Sequence, residues 1–108
     1  MSQFFDKLET RTATERAADM AKALPEQIAR AQALAGYGDS LKGVDAASIT
    51  SLEALASLPV LRKSDLGAAQ KTAAPFGGLT TLRPNEFGHV FQSPGPIYEP
   101  GGIGHDWW

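Results

Sequence analysis

The chain of 108 residues has a formal net charge of -2 and contains no cysteine. This length allows one domain with a modest core, and the weak charge gives no basic field that would attract nucleic acid or an anionic membrane. The lack of cysteine excludes disulfides and thiolate metal sites, and no apolar run approaches the roughly 20 residues of a membrane-spanning helix. We therefore expect a cytoplasmic protein.

Composition divides the chain into two parts. Residues 1–74 are rich in Ala, Leu, Glu and Lys, whereas most prolines and glycines follow Ala74. The first set of residues favours helices and the second favours turns and loops. We expect a helical N-terminal region over residues 1–74 and a strand-and-loop segment over residues 75–108, which makes the fold mostly α with a small β part.

The first helical pattern begins at Thr12, whose hydroxyl and the carboxylate of Glu15 have the spacing of a capping box. Apolar residues then recur at three- and four-residue intervals, typical of one buried helix face; they are Ala17, Met20, Leu24, Ile28, Ala31 and Ala35. Pro25 interrupts the pattern, so either one helix is kinked there or two helices meet. We expect this face to pack on its own domain; the alternative is a partner-binding surface.

Shorter elements are predicted further along the chain. A second capping box at residues 50–53 opens a helix that Pro59 stops, with three leucines facing inward, Leu52, Leu55 and Leu58. Ser64 is expected to cap a third helix. Gly77 and Gly78 permit positive φ angles or a close backbone approach. Strands are expected over residues 79–82 and 88–92.

Familiar catalytic and metal-binding motifs are absent from the sequence. His89 and His105 lie far apart and there is no cysteine, which leaves too few donors for a tetrahedral metal site. The sequence also has no Gly-x-Ser-x-Gly elbow and no Gly-Lys-Ser or Gly-Lys-Thr of a phosphate-binding loop. The residues by themselves therefore indicate no complete catalytic centre.

The stretch from Phe91 to Pro100 reads FQSPGPIYEP. Its three prolines fix φ and remove backbone donors, so the loop is stiff. Two interpretations stay open: a plain β-turn, or a rigid loop at the end of a strand that faces a ligand.

Three motifs, in this order, resemble the N-terminal part of the phenylacetate-coenzyme A ligase family of adenylate-forming enzymes. They are LPVLRKSDL at residues 58–66, PFGGL at residues 75–79, and the loop that begins at Ser93. The resemblance covers nearly the whole chain after Thr12. Members of that family are several hundred residues long, so the resemblance implies an N-terminal helical cap followed by the first strands of a larger α/β ligase domain.

The family's phosphate-binding loop, Ser-Ser-Gly-Thr-Thr-Gly-Lys-Pro, falls on residues 93–100 of this sequence. The resemblance implies cofactor-binding roles for four residues, Ser93, Gly95, Tyr98 and Glu99. It also implies ATP and Mg²⁺ as cofactors, and a carboxylic acid and coenzyme A as the partners of the full-length protein.

This loop departs from the family pattern in its chemistry. Pro94 and Pro96 each delete an N–H group, and Glu99 stands where the family has a lysine, so it would repel a triphosphate. We do not expect the loop to bind ATP as the family's loop does. Either the chain belongs to a divergent subgroup, in which Glu99 could hold magnesium, or nucleotide binding has been lost.

The leading prediction is an N-terminal fragment of an ATP-dependent acyl- or aryl-coenzyme A ligase-like protein, inactive as these 108 residues. The full-length protein would adenylate a carboxylate and then form a thioester. The alternative is a small non-catalytic helical interaction domain with a Pro- and Gly-rich tail. Because a fragment exposes faces that its missing domain would cover, we also expect a homo-oligomer, with contacts at Trp107, Trp108 and the strand that contains Phe91.

Overall fold

A computed structural model describes residues 3–104. In this part of the chain there are four α-helices and a C-terminal antiparallel hairpin of two strands, which confirms a mostly α fold with a small β part. The helices are α1 (Ala13–Gln32), α2 (Ala35–Gly38), α3 (Leu52–Ala56) and α4 (Lys63–Thr72), and the strands are β1 (Phe87–Ser93) and β2 (Ile97–Gly102). Short 3-10 helices cover Lys7–Thr10, Ala46–Ser48 and Pro84–Glu86.

The chain forms two compact units. Unit 1 comprises Met1–Arg30 and Gly43–Leu58, and unit 2 comprises Ala31–Lys42 and Pro59–Trp108. Among residues 3–104, no helix combines the length and the apolar character that crossing a membrane requires.

The start of α1 in unit 1 has the predicted capping box. The N–H of Glu15 donates to the hydroxyl of Thr12 at 3.2 Å, and the N–H of Thr12 donates to the Glu15 carboxylate at 2.7 Å. The helix runs on through Pro25 as far as Gln32, so the predicted pattern from Ala17 to Ala31 lies on one helix, whereas Ala35 is the first residue of α2. Ile28 of this face is buried, whereas Ala17 is exposed.

Helix α3 begins one residue later than the predicted capping box requires. Ser51 is extended and its hydroxyl accepts a hydrogen bond from the N–H of Ala54 at 3.1 Å, so Ser51 and not Thr50 is the cap. Leu52 is 60% exposed, contrary to the prediction that it faces inward. The helix is only five residues long, too short to present all three leucines to one neighbour.

Two predictions for unit 2 are also wrong. Helix α4 begins at Lys63 after Arg62, which makes no side-chain capping bond, so Ser64 lies inside the helix instead of capping it. Residues 79–82 form no strand, whereas the strand predicted over residues 88–92 is β1. A strand needs hydrogen bonds to a neighbouring strand. β1 pairs with β2, whereas residues 79–82 have no such ladder of hydrogen bonds.

The hairpin has a simple register after an irregularity between Phe87 and His89. From His89 to Ser93, the strand β1 pairs with residues 97–101 of β2, and Ser93 lies opposite Ile97 at the turn. Ile97 is buried at 4% exposure and approaches α4, where a Cβ added to Gly67 would lie 3.9 Å from its Cδ1. The hairpin therefore packs one face against α4.

Candidate ligand-binding cleft

The side chain of Gln70 holds the hairpin on α4. Its Nε2 donates to the carbonyl oxygen of Tyr98 at 2.8 Å, and its Oε1 accepts from the N–H of Tyr98 at 3.0 Å. Gln70 is 7% exposed, and both bonds are partly buried. The carboxamide thus takes the place of a neighbouring strand at the outer edge of β2.

Beside this contact, unit 2 encloses a cleft of about 430 Å³. This volume lies within the range of small-molecule sites, which is about 300–1,000 Å³. Most of the lining is apolar or aromatic and includes Tyr37, Leu61, Leu66, Phe76, Phe91 and Ile97. Gln70, His89 and Glu99 are the polar additions, so the cleft suits a largely apolar ligand with few polar groups.

The register of the hairpin places three of these side chains on one face. Phe91 lies opposite Glu99, and His89 lies two residues before Phe91 on the same side of β1. The rings of His89 and Phe91 are 4.6 Å apart between centroids. The imidazole lies across the backbone of β2 at Gly101, where a Cβ would collide with it. A glycine there is therefore required for this ring arrangement.

The structure separates the four predicted site residues into two pairs. Tyr98 and Glu99 line the cleft, whereas Ser93 and Gly95 lie at the turn of the hairpin and do not. Gly95 has a φ of +150°, and the Oγ atom of Ser93 is enclosed with no hydrogen-bond partner among residues 3–104. The four predicted site residues are therefore close together in the sequence, but they do not form a single site.

The residues of the turn do not fit a triphosphate. Pro94 and Pro96 lack N–H groups, the Ser93 hydroxyl is enclosed, and no lysine or arginine is among the described residues that line the cleft. A phosphate cradle needs converging N–H groups, hydroxyls and a cation. For magnesium, Glu99 is the single carboxylate in that lining, and residues 3–104 bring no group of three metal-binding side chains together.

Sequence reasoning missed the roles of Gln70 and His89. Gln70 reaches a backbone group 28 residues away, and the His89 ring depends on a glycine in the opposite strand. Neither contact has a local sequence signal, and both become visible only when the register of the hairpin is known. Comparisons with protein-family models, with curated proteins and with solved structures give no match.

Proposed function

We propose that the chain is the N-terminal part of an acyl- or aryl-coenzyme A ligase-like protein, in which the cleft of unit 2 receives the apolar body of the carboxylic acid. The observation that carries the proposal is the position of Tyr98 and Glu99, two of the residues singled out by the resemblance, in the lining of a mostly apolar cleft. The same protein would adenylate the acid and transfer it to coenzyme A.

The charge of the cleft supports one orientation of such an acid. Glu99 is the carboxylate of the lining and no described cation lies beside it there, so the carboxylate of a bound acid is repelled from it. The aryl or alkyl body would pack against Phe91 and its apolar neighbours, and the carboxylate would point outward. That orientation leaves the reacting group accessible for activation.

The proposal also holds that this chain is inactive alone. The turn at residues 93–97 supplies no phosphate cradle, so residues outside this chain would have to hold ATP. We expect no pyrophosphate release from the 108-residue chain, and acid-dependent release from the natively expressed protein.

The test measures pyrophosphate release by the natively expressed protein with a panel of aryl and alkyl acids. Phe91→Ala removes an aromatic wall of the cleft and should raise the KM for the preferred acid by about 10-fold, the scale of one aromatic contact. Phe5→Ala is the matched control, because Phe5 is 83% exposed and belongs to unit 1. Absence of release with every acid, or an equal change in both variants, contradicts the proposal.

A second candidate is a small non-catalytic interaction domain. It is favoured by the outer edge of β1, where Val90 and Phe91 are 46% and 47% exposed. An exposed apolar strand edge is a common site of protein association. A native protein mass of 11.5 kDa together with no pyrophosphate release would favour this function over the ligase.

A further inference from the structure

The two outer edges of the hairpin differ in the hydrogen bonds that they can offer. At the edge of β2, the N–H and C=O groups of Tyr98 are both bonded to Gln70. Pro100, the next residue that faces outward, has no N–H group. The edge of β2 is therefore closed to a further strand.

The edge of β1 is open as far as residues 3–104 are concerned. In an antiparallel pair, two opposite residues turn their N–H and C=O groups either toward each other or both away. Gln92 is opposite Tyr98 and Val90 is opposite Pro100, so Gln92 and Val90 turn these groups away from β2. No residue among 3–104 bonds to them on that side.

The side chains of β1 also leave its edge unprotected. Natural edge strands commonly carry a charged residue, a proline or a bulge that prevents pairing with another strand. Between His89 and Ser93 the strand has no proline and no Lys, Arg, Asp or Glu, and its only irregularity lies before His89. Val90, one of the two residues of this stretch whose backbone groups turn outward, is nearly half exposed.

We propose that a second copy of this chain pairs antiparallel with β1, about a two-fold axis beside Phe91. Val90 and Gln92 flank Phe91, so this axis places Val90 of each copy opposite Gln92 of the other. Each such pair can exchange two backbone hydrogen bonds, and the strand order becomes β2-β1-β1-β2.

Two properties of the chain favour its own copy as the occupant. The open groups are symmetric about Phe91, and no like charges meet in this register because the stretch has no charged side chain. Since both β2 edges are closed, assembly ends at the dimer. This proposal is independent of the ligase activity; the tryptophans expected as further contacts lie outside the described residues.

The experiment is sedimentation equilibrium of the 108-residue chain over a range of concentrations up to about 1 mM, suited to a weak complex. We expect a monomer–dimer equilibrium. Val90→Lys should weaken dimerisation at least about 10-fold, because it places a charge on the edge. Val60→Lys is the matched control, since Val60 is 80% exposed and lies in unit 2 outside the strands, and it should leave the equilibrium unchanged.

A second pair of variants tests the backbone directly. Gln92→Pro removes the outward N–H without removing a bond to β2, whereas Gln92→Ala keeps that N–H. Only the proline variant should weaken the dimer. In amide exchange, Val90 and Gln92 should become protected as concentration rises, while Tyr98, bonded to Gln70, is protected at every concentration.

The proposal is overturned by a chain that remains monomeric at about 1 mM, well above the dissociation constants of ordinary specific dimers. It is also overturned if the lysine variants at positions 60 and 90 weaken the dimer equally. Protection of Val90 and Gln92 that does not change with concentration would have the same consequence.

Discussion

One amide side chain, that of Gln70, connects the helical part of unit 2 to its hairpin. Its two bonds to Tyr98 satisfy a donor and an acceptor that would otherwise lie unpaired beside a buried side chain. A typical hydrogen bond contributes about 0.5–1.5 kcal/mol net, but a buried group left unpaired costs about 1–3 kcal/mol. The position of β2, and therefore of Tyr98 and Glu99 in the cleft, depends strongly on this residue.

We predict that Gln70→Leu lowers the free energy of unfolding by about 1–3 kcal/mol, because it removes both hydrogen bonds to the backbone of Tyr98, each of which contributes about 0.5–1.5 kcal/mol. Urea denaturation measures this change. Gln27→Leu is the control: Gln27 is exposed and accepts one bond from Arg30, so its replacement should cost less than about 0.5 kcal/mol. Equal losses in the two variants would show that Gln70 does not anchor the hairpin.

Glu15 makes the start of α1 sensitive to pH. The hydrogen bonds from the backbone N–H and the hydroxyl of Thr12 lower the pKa of the Glu15 carboxyl below its ordinary value of 4.5. A lowered folded-state pKa stabilises the helix above the ordinary value, and this contribution is lost as pH falls through the folded-state pKa. Acid should therefore speed amide exchange, relative to the intrinsic rate, in the first turn of α1, and Glu15→Gln should remove that dependence. An unchanged dependence in the variant would exclude Glu15 as its source.

For contacts between single residues, the separation of the two residues along the chain decides whether the sequence predicts the contact. The Thr12–Glu15 capping box spans three residues and was predicted correctly. The Gln70–Tyr98 contact spans 28 residues, and any of many polar side chains could have made it. The roles proposed for Tyr98 and Glu99 came from a resemblance and not from spacing, and they remain proposals.

Among the elements, the connection after α4 is fixed by a close backbone contact. Gly78 has a φ of +70°, and its carbonyl oxygen accepts from the N–H of Gly36 at 2.9 Å. A Cβ on Gly78 would lie 2.9 Å from the nitrogen of Gly36. The sequence interpretation left open a positive φ or a close backbone approach at this glycine, and the structure shows both.

Gly78→Ala should therefore destabilise the protein more than Gly43→Ala does. Gly43 also has a positive φ, +80°, but nothing lies within 4 Å of a Cβ placed there. In both variants the left-handed conformation, which alanine disfavours, lowers the free energy of unfolding by about 1–2 kcal/mol. Only Gly78→Ala adds a steric clash. We expect the unfolding free energies to differ by about 1–2 kcal/mol in urea denaturation. Indistinguishable values would mean that the contact with Gly36 relaxes freely.

The elements themselves were predicted unevenly, for a physical reason. Helix α1 has a long periodic pattern and a cap, and its start was found correctly. Residues 79–82 have a composition that suits a strand, but strands form only with a partner, and β1 pairs with β2 instead. The start of α3 was misplaced because Thr50 and Ser51 are adjacent competing caps, whereas α4 begins at Lys63 without any side-chain cap, so Ser64 was not a signal for its start.

In the whole molecule, the core is small. The buried apolar side chains among residues 3–104 are Ile28, Leu41, Ile49 and Ile97, and none of the side chains there is below 2% exposure. Each of these residues therefore provides a large share of the burial in its own unit. The mostly α fold followed from composition and periodicity, whereas the cleft could not be predicted because it depends on how the hairpin docks on α4.

Two isoleucines of nearly equal burial allow the units to be probed separately. Ile97 of unit 2 is 4% exposed and Ile49 of unit 1 is 5% exposed. Truncation to alanine should cost about 2–4 kcal/mol at either site, because each leaves a cavity in a core with few other buried side chains. The two variants should nevertheless differ in where the structure changes.

Because Ile97 lines the cleft, Ile97→Ala should shift the amide resonances of Gln70, Tyr98 and Glu99 in ¹H–¹⁵N spectra. Ile49→Ala should leave those three resonances in place and shift those of the residues around α3. Similar losses of stability with these separate spectral changes are expected if Ile97 supports the cleft specifically. Shifts at Gln70, Tyr98 and Glu99 in both variants would show instead that any loss of core packing, in either unit, reaches the cleft.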